Sequence, residues 1–294
     1  MLTITGGTGF VGSRIALRAL EGGRRVRVLA RRPGEARELA AAGAELATAD
    51  VLDRDSLQRG FEGADEVIHL VGIIVERGTS TFEAIHDRGT KHALEAARAA
   101  GVRRFVHMSA LGARAGAASR YHASKWRGEE AVRASGLEWT IHRPSVVYGR
   151  GDGFLSRFVA LIRRSPVVPI PGDGRNLLQP VWVEDVAACF VQSLERSGAR
   201  ERVFELGGPR AHTLNEIVEQ VMRALGARRR TVHVPIPLLR LNAAALERLL
   251  PNPPVTRDQL LMLREDNVCD TTAMRDTFDV AMPELSEALR RVLA

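Results

Sequence analysis

The sequence is poor in cysteine, lysine and aromatic residues, and each shortage removes a class of function. Cys189 and Cys269 are the only cysteines of the 294 residues, far apart and without the close spacings of metal or redox motifs. They read as buried thiols in a reducing compartment, so a cytoplasmic location is expected. Aromatics make up 5% of the chain, too few to interleave with basic residues as a nucleic-acid face requires. The net charge of +7 is therefore read as solvated surface, because pairs such as Arg24-Arg25, Arg103-Arg104 and Arg163-Arg164 are scattered and only Arg228 to Arg230 forms a denser run. No apolar run approaches the ~18 residues of a membrane helix. The stretch Val67 to Val75 is among the longest and contains His69. The chain opens directly in an apolar run with no basic leader, so no signal segment is expected. Also missing are G-K-[ST], H-E-x-x-H and G-x-S-x-G, which leaves P-loop, zincin and hydrolase chemistry, and any metal site, without their motifs.

The shortage of lysine is informative in another way. Only Lys91 and Lys125 stand among 42 basic residues. Where a composition settles on arginine almost everywhere, a retained lysine suggests work for a compact point charge that a planar guanidinium cannot do.

What is present begins with Leu2-Thr3-Ile4-Thr5, a glycine turn carrying Gly6, Gly9 and Gly12, and an amphipathic run through Ile15, Ala16, Ala19 and Leu20. Strand, glycine turn and helix form the entrance of a dinucleotide fold, in which the helix N-terminus offers free N–H groups to a pyrophosphate. Gly6, Thr8, Gly9, Phe10 and Val11 are the candidates for that contact. Strand Arg25 to Ala30 ends in Arg31-Arg32, where NAD-binding chains place an acid for the ribose hydroxyls. Two guanidinium groups there suit a 2′-phosphate, so NADP(H) is the expected cofactor, with Arg14 a weaker candidate for the same phosphate. The near-continuous apolar run Glu66 to Ile74 suits a buried parallel strand, helix Phe82 to Ala100 follows, and Arg104 to Ser109 is the next strand. The alternation predicts a doubly wound parallel sheet, an α/β Rossmann fold with ligands beyond the strands' C-terminal ends. Tyr121 and Lys125 are four apart on one helical face, where an ammonium lowers a phenol's pKa and makes it a usable general acid.

On these residues the chain resembles the extended and atypical short-chain dehydrogenase/reductases over nearly its whole length. The resemblance runs through Thr5 to Gly12, Asp50, Tyr121 with Lys125, Arg143 to Gly149 and Val181 to Ala187. Within that superfamily it is most similar to bacterial relatives of the NADPH-binding accessory subunit of respiratory complex I, through His107 to Ala113, Gly128-Glu129 and Leu263 to Val268. The resemblance implies that Asp50 and Val51 flank an adenine and that Leu70, Val71 and Gly72 line the cofactor. It further implies that Pro144, Ser145 and Val146 pack near the nicotinamide, and that Lys125 also holds the nicotinamide ribose. In active reductases a serine or threonine binds the substrate carbonyl; here its slot falls on Ala110, with Ser109 one residue early as a helper, and His86 replaces the usual relay asparagine.

The domain expectation is an NADP(H)-binding domain over 1–150 with 179–195, and a smaller C-terminal α/β lobe for substrate or partner over 151–178 and 203–294. Thr213 to Glu216 reads as a capping box, and Val234 to Leu250 as a cleft-covering helix or an apolar patch for a membrane or partner. The expected function is an NADP(H)-dependent oxidoreductase transferring hydride to a carbonyl- or quinone-like small molecule, with Tyr121, Lys125 and Ser109 catalytic. Ala110 favours the alternative, a non-catalytic NADPH-binding accessory or redox-sensing protein acting through a protein partner. Retained-cofactor isomerisation fits less well, because such enzymes usually hold NAD.

Overall fold

The structure, a computed structural model, describes residues 1–250, 253 and 255–293. Positions 251, 252, 254 and 294 of the expected C-terminal lobe lie outside the described residues. The chain divides into two units: Met1–Pro144, Val183–Leu206 and Thr272–Val280 form the first, and Ser145–Trp182, Gly207–Thr271 and Ala281–Ala294 the second.

In the first unit the strands are β1 (Leu2–Thr5), β2 (Val26–Ala30), β3 (Glu45–Thr48), β4 (Glu66–His69), β5 (Arg104–Met108) and β6 (Glu138–Pro144), with a seventh at Arg202–Leu206. Every residue of β1 is buried, as expected of a strand covered on both faces. The sheet runs β3-β2-β1-β4-β5-β6 and then the seventh strand, parallel throughout. Chain order reverses between β1 and β4, and in a doubly wound sheet the crevice beyond that switch point is where ligands bind. Helices α1 (Phe10–Glu21), α2 (Arg37–Ala41), α3 (Arg54–Phe61), α4 (Gly89–Ala99) and α5 (Arg120–Arg133) make the crossovers. The core under this sheet includes Leu57, Phe61, Val67, Ala93, Phe105 and Ile141.

The unit boundaries differ from the sequence expectation: 145–150 and 179–182 fall in the second unit, and 203–206 and 272–280 in the first. Arg202–Leu206 pairs in parallel with β6, and Thr272–Val280 returns to the first unit, where Phe278 packs on Phe204 with ring centroids 4.8 Å apart and Gln192 exchanges two hydrogen bonds with Asp279. The expected strand through Ile74 stops at His69. Leu70 to Ile74 leave the sheet although they are apolar, because they become the wall of a cavity. The expected helix Phe82 to Ala100 begins with a π-helical stretch, Glu83–Arg88, before the regular turns of α4. Such stretches recur at functional sites.

The second unit holds three two-stranded sheets, Val147–Tyr148 with Val181–Trp182, Leu177–Leu178 with His212–Thr213, and Val167–Pro171 with Arg230–Val234. Tyr148, Leu155, Ile162, Val168, Ile217 and Leu289 are among its core residues. The capping box is formed: Thr213 Oγ1 accepts from Glu216 N and Glu216 accepts from Thr213 N. Asp266 Oδ1 accepts from Leu177 N, Asn267 N donates to the Leu177 carbonyl, and the Asn267 carbonyl accepts from Gln179 N, which gives the Leu263–Val268 motif a structural task. Cys189 is buried and Cys269 half-buried, and neither forms a disulfide. Among the described residues no helix is long and apolar enough to cross a membrane.

The glycine turn is set by contact. A β-carbon on Gly12 would lie 2.2 Å from the Gly6 carbonyl oxygen and 2.7 Å from Gly7 Cα, so only glycine lets α1 approach β1 this closely. Gly12→Ala is expected to lower stability by about 1–3 kcal/mol through overpacking, read as a drop in the urea midpoint. Gly198→Ala, where an added β-carbon meets nothing within 4 Å, should leave the midpoint unchanged.

Candidate functional site

Beyond the β1/β4 switch point, within the first unit, lies a cavity of about 620 Å³. Gly6, Thr8, Gly9, Phe10 and Val11 line one part of it. Gly6 has φ +74°, a left-handed conformation that glycine adopts without strain, and its carbonyl accepts from Gly9 N at 3.1 Å. Helix α1 starts here with no side-chain cap and no acid in its first turn, so its N-terminal N–H groups and positive dipole end face the cavity uncompensated. Arg31 also lines the cavity, as do Asp50 and Val51. Asp50 is held by its own turn: its Oδ1 accepts from Leu52 N at 2.9 Å and its N–H donates to Ser56 Oγ.

Leu70, Val71, Gly72, Met108, Tyr121 and Lys125 line the cavity as well. Lys125 Nζ donates to the Met108 carbonyl at 3.0 Å. A β-carbon on Gly72 would meet that Nζ at 2.9 Å and His86 Nε2 at 3.3 Å, so the glycine leaves room for the lysine. Burial pulls the Lys125 pKa down to about 8, opposed by the Glu129 carboxylate one helical turn on. Glu129 is itself buried and clamped by Arg143 at 2.8 and 2.7 Å and by Arg133 at 2.6 Å.

Below the lysine sit neutral imidazoles. His86 Nε2 accepts the Ile73 N–H at 2.9 Å, which places the imidazole proton on Nδ1, 2.8 Å from Ser124 Oγ. Ser124 in turn donates to the Tyr121 carbonyl at 2.7 Å. His86 thus ties the loop after β4 to the backbone that carries Tyr121. His69 Nδ1 is 2.7 Å from Thr5 Oγ1, and its ring stacks on His107 with centroids 5.6 Å apart. Both nitrogens of His107 are buried without a hydrogen-bond partner among the described residues. Burial, reinforced by the charge on Lys125, holds His69 down to about 3 and keeps His86 and His107 well below the usual imidazole range.

The structure thus brings together Gly6, Thr8, Gly9, Phe10, Val11, Arg31, Asp50, Val51, Leu70, Val71, Gly72, Tyr121 and Lys125. Other residues singled out from the sequence are not among those lining residues. Arg32 is exposed and pairs with Glu35 at 2.8 Å, three residues on in the same turn, and Arg14 pairs with Glu184 at 2.7 Å. Ser109 is buried and does not line the cavity; its Oγ lacks a partner among the described residues. Ala110, in the usual serine slot, is buried too. Pro144 ends β6, while Ser145 and Val146 belong to the second unit, where Ser145 Oγ donates to Asn267 Oδ1 at 2.5 Å. The expected lowering of the Tyr121 phenol is absent: burial pushes it up to about 12, and the Lys125 ammonium is engaged on the Met108 carbonyl. Sequence reasoning missed Met108, Ile73, Ile74 and Ser80 as lining residues. Met108 was legible as the last residue of β5, at the C-terminal end where ligands bind, whereas Ser80 sits in a loop with no signal.

These residues fit a dinucleotide: the glycine contacts leave a backbone cradle free of side chains, the helix N-terminus suits a pyrophosphate, and Arg31 supplies a cation. The profile of the NAD dependent epimerase/dehydratase family matches residues 2–207. A ceramide reductase of Caulobacter vibrioides is 36% identical over 84% of this chain and 77% of its own length. Subunit 9 of the mitochondrial NADH dehydrogenase [ubiquinone] 1 alpha subcomplex of Arabidopsis thaliana is 32% identical over 77% of this chain, which spans only 59% of that subunit's length. In fold, the chain superposes on an NADPH-dependent quinone oxidoreductase of Escherichia coli, solved with NADPH, with a TM-score of 0.80, 19% identity and full coverage of both chains.

The buried imidazoles have a consequence for stability. His69, His86, His107 and His142 are neutral in the fold because their pKa values are lowered, whereas in the unfolded chain they take up protons below about 6.5. The unfolded state then binds more protons, so stability falls as the pH falls. Each imidazole contributes about 1.4 kcal/mol per pH unit. Urea midpoints are expected to drop steeply between about pH 6.5 and 4.5, and His107→Met, which removes an imidazole that makes no hydrogen bond, should reduce that dependence by one proton.

Proposed function

The chain belongs to the NAD dependent epimerase/dehydratase family, and on that footing we propose that it is an NADP(H)-dependent oxidoreductase of the extended short-chain dehydrogenase type, reducing a carbonyl- or quinone-like small molecule. The observation that carries this reading is that Tyr121, Lys125 and Arg31 line the same cavity as the glycine turn. Gly6 to Val11 would hold the pyrophosphate, Arg31 the 2′-phosphate, Asp50 and Val51 the adenine, and Lys125 the nicotinamide ribose. When bound, the reduced nicotinamide supplies hydride.

The chain's own contribution is the proton and its placement. With its pKa raised to about 12, the Tyr121 phenol holds its proton at neutral pH and delivers it to the substrate oxygen. Lys125, cationic below about 8 and engaged on the Met108 carbonyl, does not lower the phenol; its part is to hold the nicotinamide ribose. The Ile73–His86–Ser124 chain fixes the Tyr121 backbone against the loop that carries Gly72. The relative named for ceramide reduction and the quinone oxidoreductase of the same fold support the reductive direction.

A second reading, a non-catalytic NADPH-binding accessory protein, is favoured by Ala110 in the serine slot and by Ser109 standing outside the cavity. The complex I subunits among its relatives support it.

Arg31→Ala is expected to weaken NADPH binding about tenfold or more while leaving NADH within about twofold, as fits loss of a guanidinium–phosphate pair; titration calorimetry measures both. Arg32→Ala should change neither, because its guanidinium is already paired. Equal losses for the two nucleotides in Arg31→Ala would remove the 2′-phosphate assignment. Tyr121→Phe should cut NADPH oxidation with a panel of carbonyls and quinones about 100-fold or more, the scale of a lost general acid, with cofactor affinity kept. NADPH binding without turnover of any panel member by the unaltered protein decides for the accessory reading.

A further inference from the structure

Eight large apolar side chains stand exposed on the surface described, and six of them fall in two segments of the second unit: Val167, and Val232, Leu238, Leu241, Leu249 and Leu250. Four belong to helix Ile236–Leu249 or adjoin its end. That helix is apolar on two sides. Ile236, Leu239, Ala243 and Leu246 form a stripe turned inward, with Ala243 fully buried. Leu238, Leu241, Ala245 and Leu249, at i, i+3, i+7 and i+11, form a second stripe turned to solvent, with Leu241 70% and Leu249 77% exposed. A helix apolar on two sides has one that its own core leaves uncovered.

Charge says what covers it. Between 226 and 250 the sequence carries five arginines and one acid, Glu247, whose carboxylate already accepts from Arg257 at 2.7 Å. Arg228 and Arg230, just before and at the start of strand Arg230–Val234, are exposed and make no ion pair among the described residues. A second copy meeting this face about a two-fold axis would set arginines against arginines. A surface that is apolar underneath and negative on top suits both features at once.

We infer that the outer stripe of helix Ile236–Leu249 docks on an anionic lipid bilayer, the leucines entering the headgroup–acyl boundary and the arginines reaching lipid phosphates. The inference is independent of the reaction proposed above.

Co-sedimentation with phosphatidylcholine vesicles, with and without phosphatidylglycerol, tests it on the full chain. Binding to the anionic vesicles should exceed binding to neutral ones at least tenfold. L238S/L241S/L249S should lose at least tenfold of it with every charge retained, and R228E/R230E a comparable amount. These residues are exposed, so circular dichroism and thermal midpoint should be unchanged. No pelleting with anionic vesicles overturns the inference. So does full retention by the leucine variant, which would mean that the +7 chain adsorbs by charge alone. A dimer in sedimentation equilibrium that the leucine variant disperses, or an acidic protein that displaces the vesicles from the stripe at equal concentration, overturns it in favour of a protein occupant.

Discussion

The approach of helix α1 to strand β1 governs the first unit. The Gly6 carbonyl occupies the space where any side chain on Gly12 would begin, and Gly7 is wedged against Val28 in the same way. Because these contacts admit no β-carbon, the helix starts directly above the edge of β1 and presents its unpaired N–H groups at the point where strand order reverses. The cavity and the choice of an anionic ligand follow from that closeness. A turn with ordinary residues would push the helix outward and fill the cradle with side chains.

A second constraint is a buried cation among neutral groups. Lys125 has one carboxylate near it, and Arg143 and Arg133 already occupy that carboxylate. Desolvation is therefore only partly compensated, and the lysine's pKa falls toward neutrality while the imidazoles around it stay uncharged. An arginine would fit poorly here. Its planar group needs several acceptors, whereas the pocket offers the Met108 carbonyl and the space left by Gly72. The shape of this pocket suits a lysine at this position in a chain whose other basic residues are nearly all arginine.

The second unit has its own apolar core, and the Asp266 side chain and the Asn267 backbone bond to a two-residue strand. Two of its three sheets join two-residue strands, which have few ladder hydrogen bonds of their own. Helix Ile236–Leu249 needs no such bracing on its inner side, and its outer side carries the leucines that the core leaves uncovered.

The sequence by itself determined the parallel sheet, the glycine turn and the placing of Tyr121 and Lys125 on one helix, because each is set by short-range spacing: three glycines at fixed offsets, apolar runs of strand length, and two positions one helical turn apart. It determined the Thr213 capping box for the same reason. Tertiary structure alone decided what depends on neighbours distant in the chain. It brought Arg31 to the cavity wall beside the glycine turn, and it turned Leu70–Ile74 from a strand into part of the same wall. It raised the Tyr121 phenol where a helix-face argument lowered it, because burial is a property of the surroundings and the lysine's charge is spent on the Met108 carbonyl, seventeen positions before it in the chain. Spacing is written in one dimension; desolvation and competition among partners exist only in three.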